Sequence, residues 1–336
     1  MNVSLIVTVL NEARSLPTLL DSIAAQTRPP DEVVICDGGS TDSTPDVLRA
    51  ETRLPLRVIE RPGCNIAQGR NAAIEAATGD VIAATDAGVR LDPQWLAKLI
   101  EPVGPAGRWS HVAGFFRPDD AHTSFEMAMG ATVLPQLHEI DPAKFLPSSR
   151  SVAFTKAAWQ AVGGYPEWLD YCEDLIFDFK LRDQFGAFAF APEAVAYFQP
   201  RSSLKSFFQQ YYRYARGDGR ANLWPQRHFI RYATYLIALP AIAWLTAKVN
   251  PGFALLYVVG AAIYLQPPYQ RLAALPRPPQ RTGQLKAIGW IPIIRVTGDL
   301  AKMIGYPVGI VRRGEKRGPH YFRVVGKMKL KRLRQA

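Results

Sequence analysis

Val3-Ser4-Leu5-Ile6-Val7-Thr8-Val9-Leu10-Asn11-Glu12 is a short β-rich run that stops on two polar residues. Such a run suits a strand buried on both faces. Downstream, Leu16, Leu19, Leu20 and Ile23 fall at helical spacing and predict a helix over 16–26. A second buried strand over 32–36 ends at Asp37-Gly38-Gly39-Ser40-Thr41-Asp42. A helix over 44–50, a strand over 56–60, a helix over 66–77 and a strand over 80–85 follow, the last closed by Asp86-Ala87-Gly88. Strands alternating with helices predict an α/β domain with a parallel sheet and right-handed crossovers. Ligands bind such sheets beyond the carboxyl ends of the strands, and here those ends carry Asn11-Glu12, Asp37 and Asp86.

Residues 109–200 are less regular and read as α+β, with a turn at Val162-Gly163-Gly164-Tyr165-Pro166 and a helix over 173–185. Beyond Leu223 the composition changes. Residues 232–247 and 249–270 hold no charge, and Lys248 is the only ionised group between them. With a turn at Pro251-Gly252 they read as a hydrophobic hairpin. It either crosses a membrane, each core being a little short of the ~20 residues of a full span, or packs on the preceding domain. In 288–311 the apolar run is interrupted by Arg295, Asp299 and Lys302, on one helical face, which predicts a helix lying in the membrane interface. Three domains are expected: 1–225, with halves 1–108 and 109–225; 226–311; and a tail, 312–336.

The 48% hydrophobic and 21% charged content is that of a folded chain. Of the formal +11, residues 312–334 supply +9, with ten Lys/Arg against Glu315. A basic tail beside apolar helices is drawn to anionic membrane lipids. The positive-inside tendency then puts it in the cytoplasm. Met1-Asn2-Val3-Ser4 runs straight into a strand, without the basic start of a signal peptide, so the first domain is expected on the same side of the cytoplasmic membrane. Cys36, Cys64 and Cys172 form no CxxC pair, which argues against a zinc site or disulfide framework. Nothing like a recognition helix accompanies the tail, so no nucleic acid partner is expected.

The polar residues at the strand ends suggest chemistry. The Asp37 carboxylate can accept from a nucleobase imide or a ribose hydroxyl, while Ser40 and Thr41 can cap the next helix. Gly69-Arg70-Asn71-Ala72 opens a helix, where a cation and free N–H groups favour phosphate. Asp86, followed by Ala87 and Gly88, suits a divalent ion bridging two phosphates. Glu173-Asp174 opens a helix, where the pair either favours the dipole or takes a proton from an acceptor hydroxyl.

In order and spacing these motifs resemble the family-two glycosyltransferases of the GT-A fold, over roughly residues 1–220. The resemblance implies a Rossmann-like, mostly parallel nucleotide-binding domain followed by a helical membrane-associated region. It also implies inversion by direct displacement, a nucleotide-sugar donor (UDP-sugar favoured over GDP-sugar) and Mg2+ or Mn2+. By the family pattern Thr8, Leu10, Asn11 and Glu12 line the nucleotide pocket with Ser40, and Asp37 holds the base. Asp86 binds the metal, and Asp174 beside Glu173 is the general base. Gln210-Tyr211-Tyr212-Arg213-Tyr214 resembles the Gln-x-x-Arg-Trp motif of membrane polysaccharide synthases, with Tyr for Trp. It would bring Arg213 and Arg216 to the donor, although aromatics interleaved with Arg also suit ordinary helix packing. Gly88 departs from the usual Asp-x-Asp and removes the second carboxylate. The acceptor is expected to be lipid-linked or a polysaccharide, in cell-surface glycan synthesis. The alternatives are a polyprenyl-phosphate sugar synthase and a non-catalytic membrane scaffold.

Overall fold

A computed structural model describes residues 1–103, 108–119, 123–275 and 281–313. The chain forms two compact units: a sheet unit, Met1–Asp120 with Pro135–Pro200, and a helical unit, Ala121–Leu134 with Arg201–Ala336.

In chain order the sheet unit begins with β1 (Val3–Val9), α1 (Leu16–Ala24), β2 (Glu32–Asp37), α2 (Thr44–Ala50), β3 (Leu56–Glu60), α3 (Ile66–Ala76) and β4 (Val81–Ala84). These are the elements the sequence predicts, within a residue or two. β5 (Val89–Leu91), α4 (Trp95–Ile100) and β6 (His111–Pro118) follow. The chain then leaves for α5 (Ser124–Val133) of the helical unit and returns with β7 (Val152–Thr155), α6 (Lys156–Ala161), α7 (Glu173–Phe185) and β8 (Ala189–Phe198). The strand order is β3-β2-β1-β4-β7-β6-β8-β5. β1 to β4 are parallel, as expected, but β7 runs antiparallel to both β4 and β6, and β5 runs antiparallel to β8. The second half of the sheet is therefore mixed.

Alternation along the central strands fills two cores. Leu5, Val7, Val33 and Ile35 face a cluster with Leu16, Leu20, Trp95 and Leu99. Ile6, Val34 and Cys36 face the other, with Ala73, Ile74, Phe154, Tyr165 and Phe177. Helices on both faces explain why β1 and β2 read as near-continuous apolar runs. β3 is an edge strand, and only Leu56 and Ile59 of it are partly buried.

The helical unit comprises α5, α8 (Leu204–Ala221), α9 (Pro225–Ala233), α10 (Leu239–Lys248), α11 (Leu255–Ala274) and α12 (Arg281–Arg312). The division at Pro200 falls earlier than the expected 225, because α8 packs on α12. Glycines let these two helices approach closely. A Cβ on Gly309 would run into the Arg216 carbonyl oxygen and lie 2.8 Å from Gly219 Cα. Gly309→Val is therefore expected to cost at least about 1–3 kcal/mol, read as a lower thermal midpoint in detergent.

A π-helical segment, Thr234–Ala238, joins α9 to α10 just before Pro240, which has no N–H for the helix ladder. The run Pro225–Lys248 is, among the described residues, the one helix long and apolar enough by length and composition to cross a membrane. The second expected span does not reach that standard, because the second half of α11 carries Gln266, Pro267, Pro268, Gln270 and Arg271. The turn at Pro251-Gly252 is present as a short 3-10 helix.

α12 departs from the expected interfacial helix. Its charged face is turned into the unit, where Asp299 is paired to Arg231 at 2.7 Å and Arg295 lies over the Tyr264 ring at 4.1 Å. The side chains left exposed include Leu285, Ile293, Val296, Leu300 and Ile304, together with Phe229, Ile237, Trp244, Val258 and Ile263 of the other helices. The basic tail lies outside the described residues from 314 onward.

Candidate active site

The sheet reverses its building direction at β1: β2 and β3 are added on one side, and β4 on the other. Such a switch point leaves a crevice beyond the strand ends. The side chains there are fixed by loop-to-loop bonds. Asn11 adopts a left-handed backbone, φ 58°, and its Oδ1 accepts from the Thr41 N–H at 2.8 Å. The Asn11 N–H donates to Ser40 Oγ at 2.9 Å, and the Glu12 N–H to Thr44 Oγ1 at 2.8 Å. Leu10 is exposed at the rim, and Thr8 is half-buried beneath it. A Cβ on Gly69 would come within 3.0 Å of the Thr8 methyl, so a glycine is what lets α3 close on β1.

Asp37 is buried, and its Oδ1 accepts from the Gly39 and Ser40 N–H groups and from Ser40 Oγ, at 2.8–3.0 Å. Ser40 thus braces Asp37 and Asn11 instead of capping α2, whose N-cap is Ser43. Gly39 sits at φ 98°, with Pro62 Cα 3.0 Å from where a Cβ would be, so no other residue suits this turn.

Arg70 differs most from its expected role. It is buried, donating to Glu173 Oε1 at 2.5 Å and to Asp86 Oδ1 at 2.9 Å. The start of α3 is closed by a capping box, Asn65 with Gln68, which uses N–H groups the sequence left for a phosphate. Arg70 therefore organises carboxylates and is not open to a ligand phosphate. Glu173, also buried, is held by that pair and stands next to Asp174 at the start of α7. Asp174 is half-buried, and its Oδ1 accepts from the Leu175 N–H at 2.8 Å. The residue before the pair, Cys172, is forced to φ 64°, a costly conformation for a non-glycine residue.

Burial is the largest cause that raises Glu173, to about 7, and the neighbouring Asp174 adds to it, while Arg70 pulls it down. Asp174 is raised as well, by burial first and then by Asp86, against the pull of Arg70 and the Leu175 N–H. A carboxylate with raised proton affinity, next to a cleft, suits a general base.

Asp86 keeps part of its surface exposed, with Arg150 Nε 3.7 Å from its Oδ2. Ala87 is buried, and a Cβ added at Gly88 would meet nothing within 4 Å among the described residues. No group of three metal-ligating side chains exists among the described residues. One carboxylate suits Mg2+ that brings most of its oxygens from substrate phosphates and water, and does not suit a protein-caged ion. The sequence does not single out Arg150, and offers Asn71 only as part of the Gly69-Arg70-Asn71-Ala72 run. Asn71 fixes the 163–167 turn by accepting from the Tyr165 N–H at 2.9 Å and from Trp159 Nε1 at 3.1 Å. Neither residue has a signal in local sequence, because each acts across a large separation. Arg213 and Arg216 lie on α8 of the helical unit, where Gln210 donates to the Tyr214 hydroxyl at 2.9 Å.

Residues 4–137 match the family described as Glycosyl transferase family 2. The succinoglycan biosynthesis protein ExoA of Rhizobium meliloti is 25% identical over 233 residues, 64% of this chain and 68% of that protein. An undecaprenyl-phosphate 4-deoxy-4-formamido-L-arabinose transferase of Pectobacterium carotovorum is 33% identical over 139 residues, 39% of this chain and 42% of that one. Three other curated glycosyltransferases align over only 32%, 24% and 30% of their own length. Among solved structures, a mannosyltransferase from Pyrobaculum calidifontis in complex with GDP-Man and Mn2+ is similar with a TM-score of 0.61 at 20% identity, covering 90% of this chain and 87% of that one. The likeness to glycosyl transferase family 2 thus covers residues 4–137, and the chain is built on the GT-A fold.

Proposed function

We propose that the protein is an inverting glycosyltransferase that moves a sugar from a nucleotide-diphosphate donor to a lipid-linked or polysaccharide acceptor at a membrane. The observation that carries this reading is the placement of Asp37, Asp86 and Asp174 around the β1 switch point, with Arg70 tying Asp86 to the Glu173-Asp174 corner. Asp37 and the Asn11–Glu12 loop bind the nucleoside. Asp174 accepts the acceptor's hydroxyl proton as that oxygen bonds to the anomeric carbon, and the bond from that carbon to the diphosphate breaks with its electrons. Inversion follows from a single displacement. Asp86 would hold a divalent ion arriving with the donor, which supplies charge neutralisation at the leaving diphosphate.

The relatives named for succinoglycan and for an undecaprenyl-phosphate sugar support an acceptor held at a membrane. The exposed apolar side chains of the helical unit support the same location, with the sheet unit on the cytoplasmic side. A polyprenyl-phosphate acceptor is the nearest alternative.

The test is nucleotide release by detergent-solubilised protein against a panel of UDP- and GDP-sugars, with Mg2+, Mn2+ or chelator. Release from one donor, lost with chelator, supports the reading; no release and no donor binding would reject it in favour of a scaffold. Gly88→Asp has room for its side chain and is expected to leave the thermal midpoint within about 1 °C. It should also lower the metal concentration for half-maximal rate by roughly tenfold, since it restores a second carboxylate.

A further inference from the structure

The topology of the sheet brings Arg150 to the carboxyl end of β4. β7 runs antiparallel to β4, with Val152 opposite Ala84, so the residues before β7 stand beside those after β4. There Thr85 Oγ1 donates to the Arg150 carbonyl at 2.9 Å and fixes the backbone next to Asp86. β8 runs antiparallel to β5, with Phe198 opposite Val89, which puts an aromatic ring beside the residue that follows Gly88. The Arg150 guanidinium lies over that ring, 4.3 Å from its centroid, and donates one N–H to Ser148 Oγ at 3.2 Å. Stacking fixes the plane of a guanidinium and leaves its edge for an anion. Asp86 is bonded through Oδ1 to Arg70 at 2.9 Å, while its Oδ2 is 3.7 Å from Arg150 Nε, too long for a hydrogen bond. Arg150 is thus the looser of the two cations at Asp86, and both Arg150 and Asp86 are half-buried, at the border of solvent. Its charge also reaches Asp174, whose proton affinity burial raises and Arg70 and Arg150 lower.

We propose that Arg150 binds the diphosphate of the donor at Asp86-Ala87-Gly88 and supplies, from a fixed side chain, part of the charge neutralisation of the leaving group. Gly88 removes a second carboxylate that would tighten the hold on a metal ion, so more of the positive charge has to come from the protein. A planar fork suits two phosphate oxygens. Arg70, buried between Glu173 and Asp86, is already engaged. The inference rests on the donor reading above and deepens it by naming a residue for the diphosphate.

Binding of UDP and GDP, and of uridine and guanosine, is measured by calorimetry on full-length protein in detergent, with EDTA and about 0.3 M NaCl to screen the basic tail. The nucleotide that binds is expected to do so at least about tenfold more tightly than its own nucleoside, even without metal. Arg150→Gln should remove most of that difference and leave nucleoside affinity unchanged, and Arg150→Lys should keep part of it. A wild type that binds nucleotide no more tightly than nucleoside in EDTA would overturn the proposal, and this arm needs no variant should Arg150→Gln misfold. So would a preference for diphosphate that survives in Arg150→Gln. Failure of the wild type to bind either nucleotide even with Mg2+ or Mn2+ would reject the donor reading itself, and this assignment with it.

Discussion

Asp174→Asn is expected to lower turnover by about two orders of magnitude or more while the affinity for donor changes little. The substitution keeps the shape and the bond from the Leu175 N–H but removes the site that takes the proton. In the wild type the rate should fall as pH drops through the raised proton affinity of Asp174, above the ordinary aspartate value. The sign is fixed by the base having to be ionised. Initial rates from pH 4 to 9, with donor binding measured in parallel, separate this from a folding defect. An unchanged rate in Asp174→Asn would remove the assignment.

Arg70→Met should be the most destabilising single change in the sheet unit, costing about 3–5 kcal/mol, because it leaves Glu173 buried without its cation. The loss should depend on pH. In the wild type Glu173 ionises near 7 beside Arg70; without that cation its proton affinity rises further, and at pH 5, where both proteins hold Glu173 neutral, most of the penalty disappears. Urea unfolding of both proteins at pH 5 and pH 8 checks this, and a loss equal at the two values would show that Arg70 acts by packing alone. Arg70→Lys should recover only part, since an ammonium cannot address two carboxylates in a fixed fork.

The parallel half of the sheet was legible because β1, β2 and β4 are buried on both faces and each stops at a polar turn. β5 was not, since three residues carry no period. Asp37 and Asp174 stand at the strand end and helix start where the sequence puts them. Arg70 was misread, for a local reason: a cation at a helix start favours phosphate only when nothing else claims it, and its partners lie 16 and 103 residues away. α12 was misread in the same manner. Spacing showed that Arg295, Asp299 and Lys302 share a face, but not that Arg231 and the tyrosines sit opposite and turn that face inward.

The excursion of α5 out of the sheet unit has a bearing on biosynthesis. Phe125, Ala128 and Met129 bury themselves with Ala287, Ile291 and Ile294, which emerge from the ribosome far later. At elongation rates of about 5–20 residues per second that interval is roughly 10–30 s. Its other mates in that unit, Phe207 and Leu272, also emerge well after it, and β7 and β8 complete the sheet in between. The nascent chain thus carries an incompletely covered segment through about half of its synthesis, a natural handle for a holding chaperone or the targeting machinery.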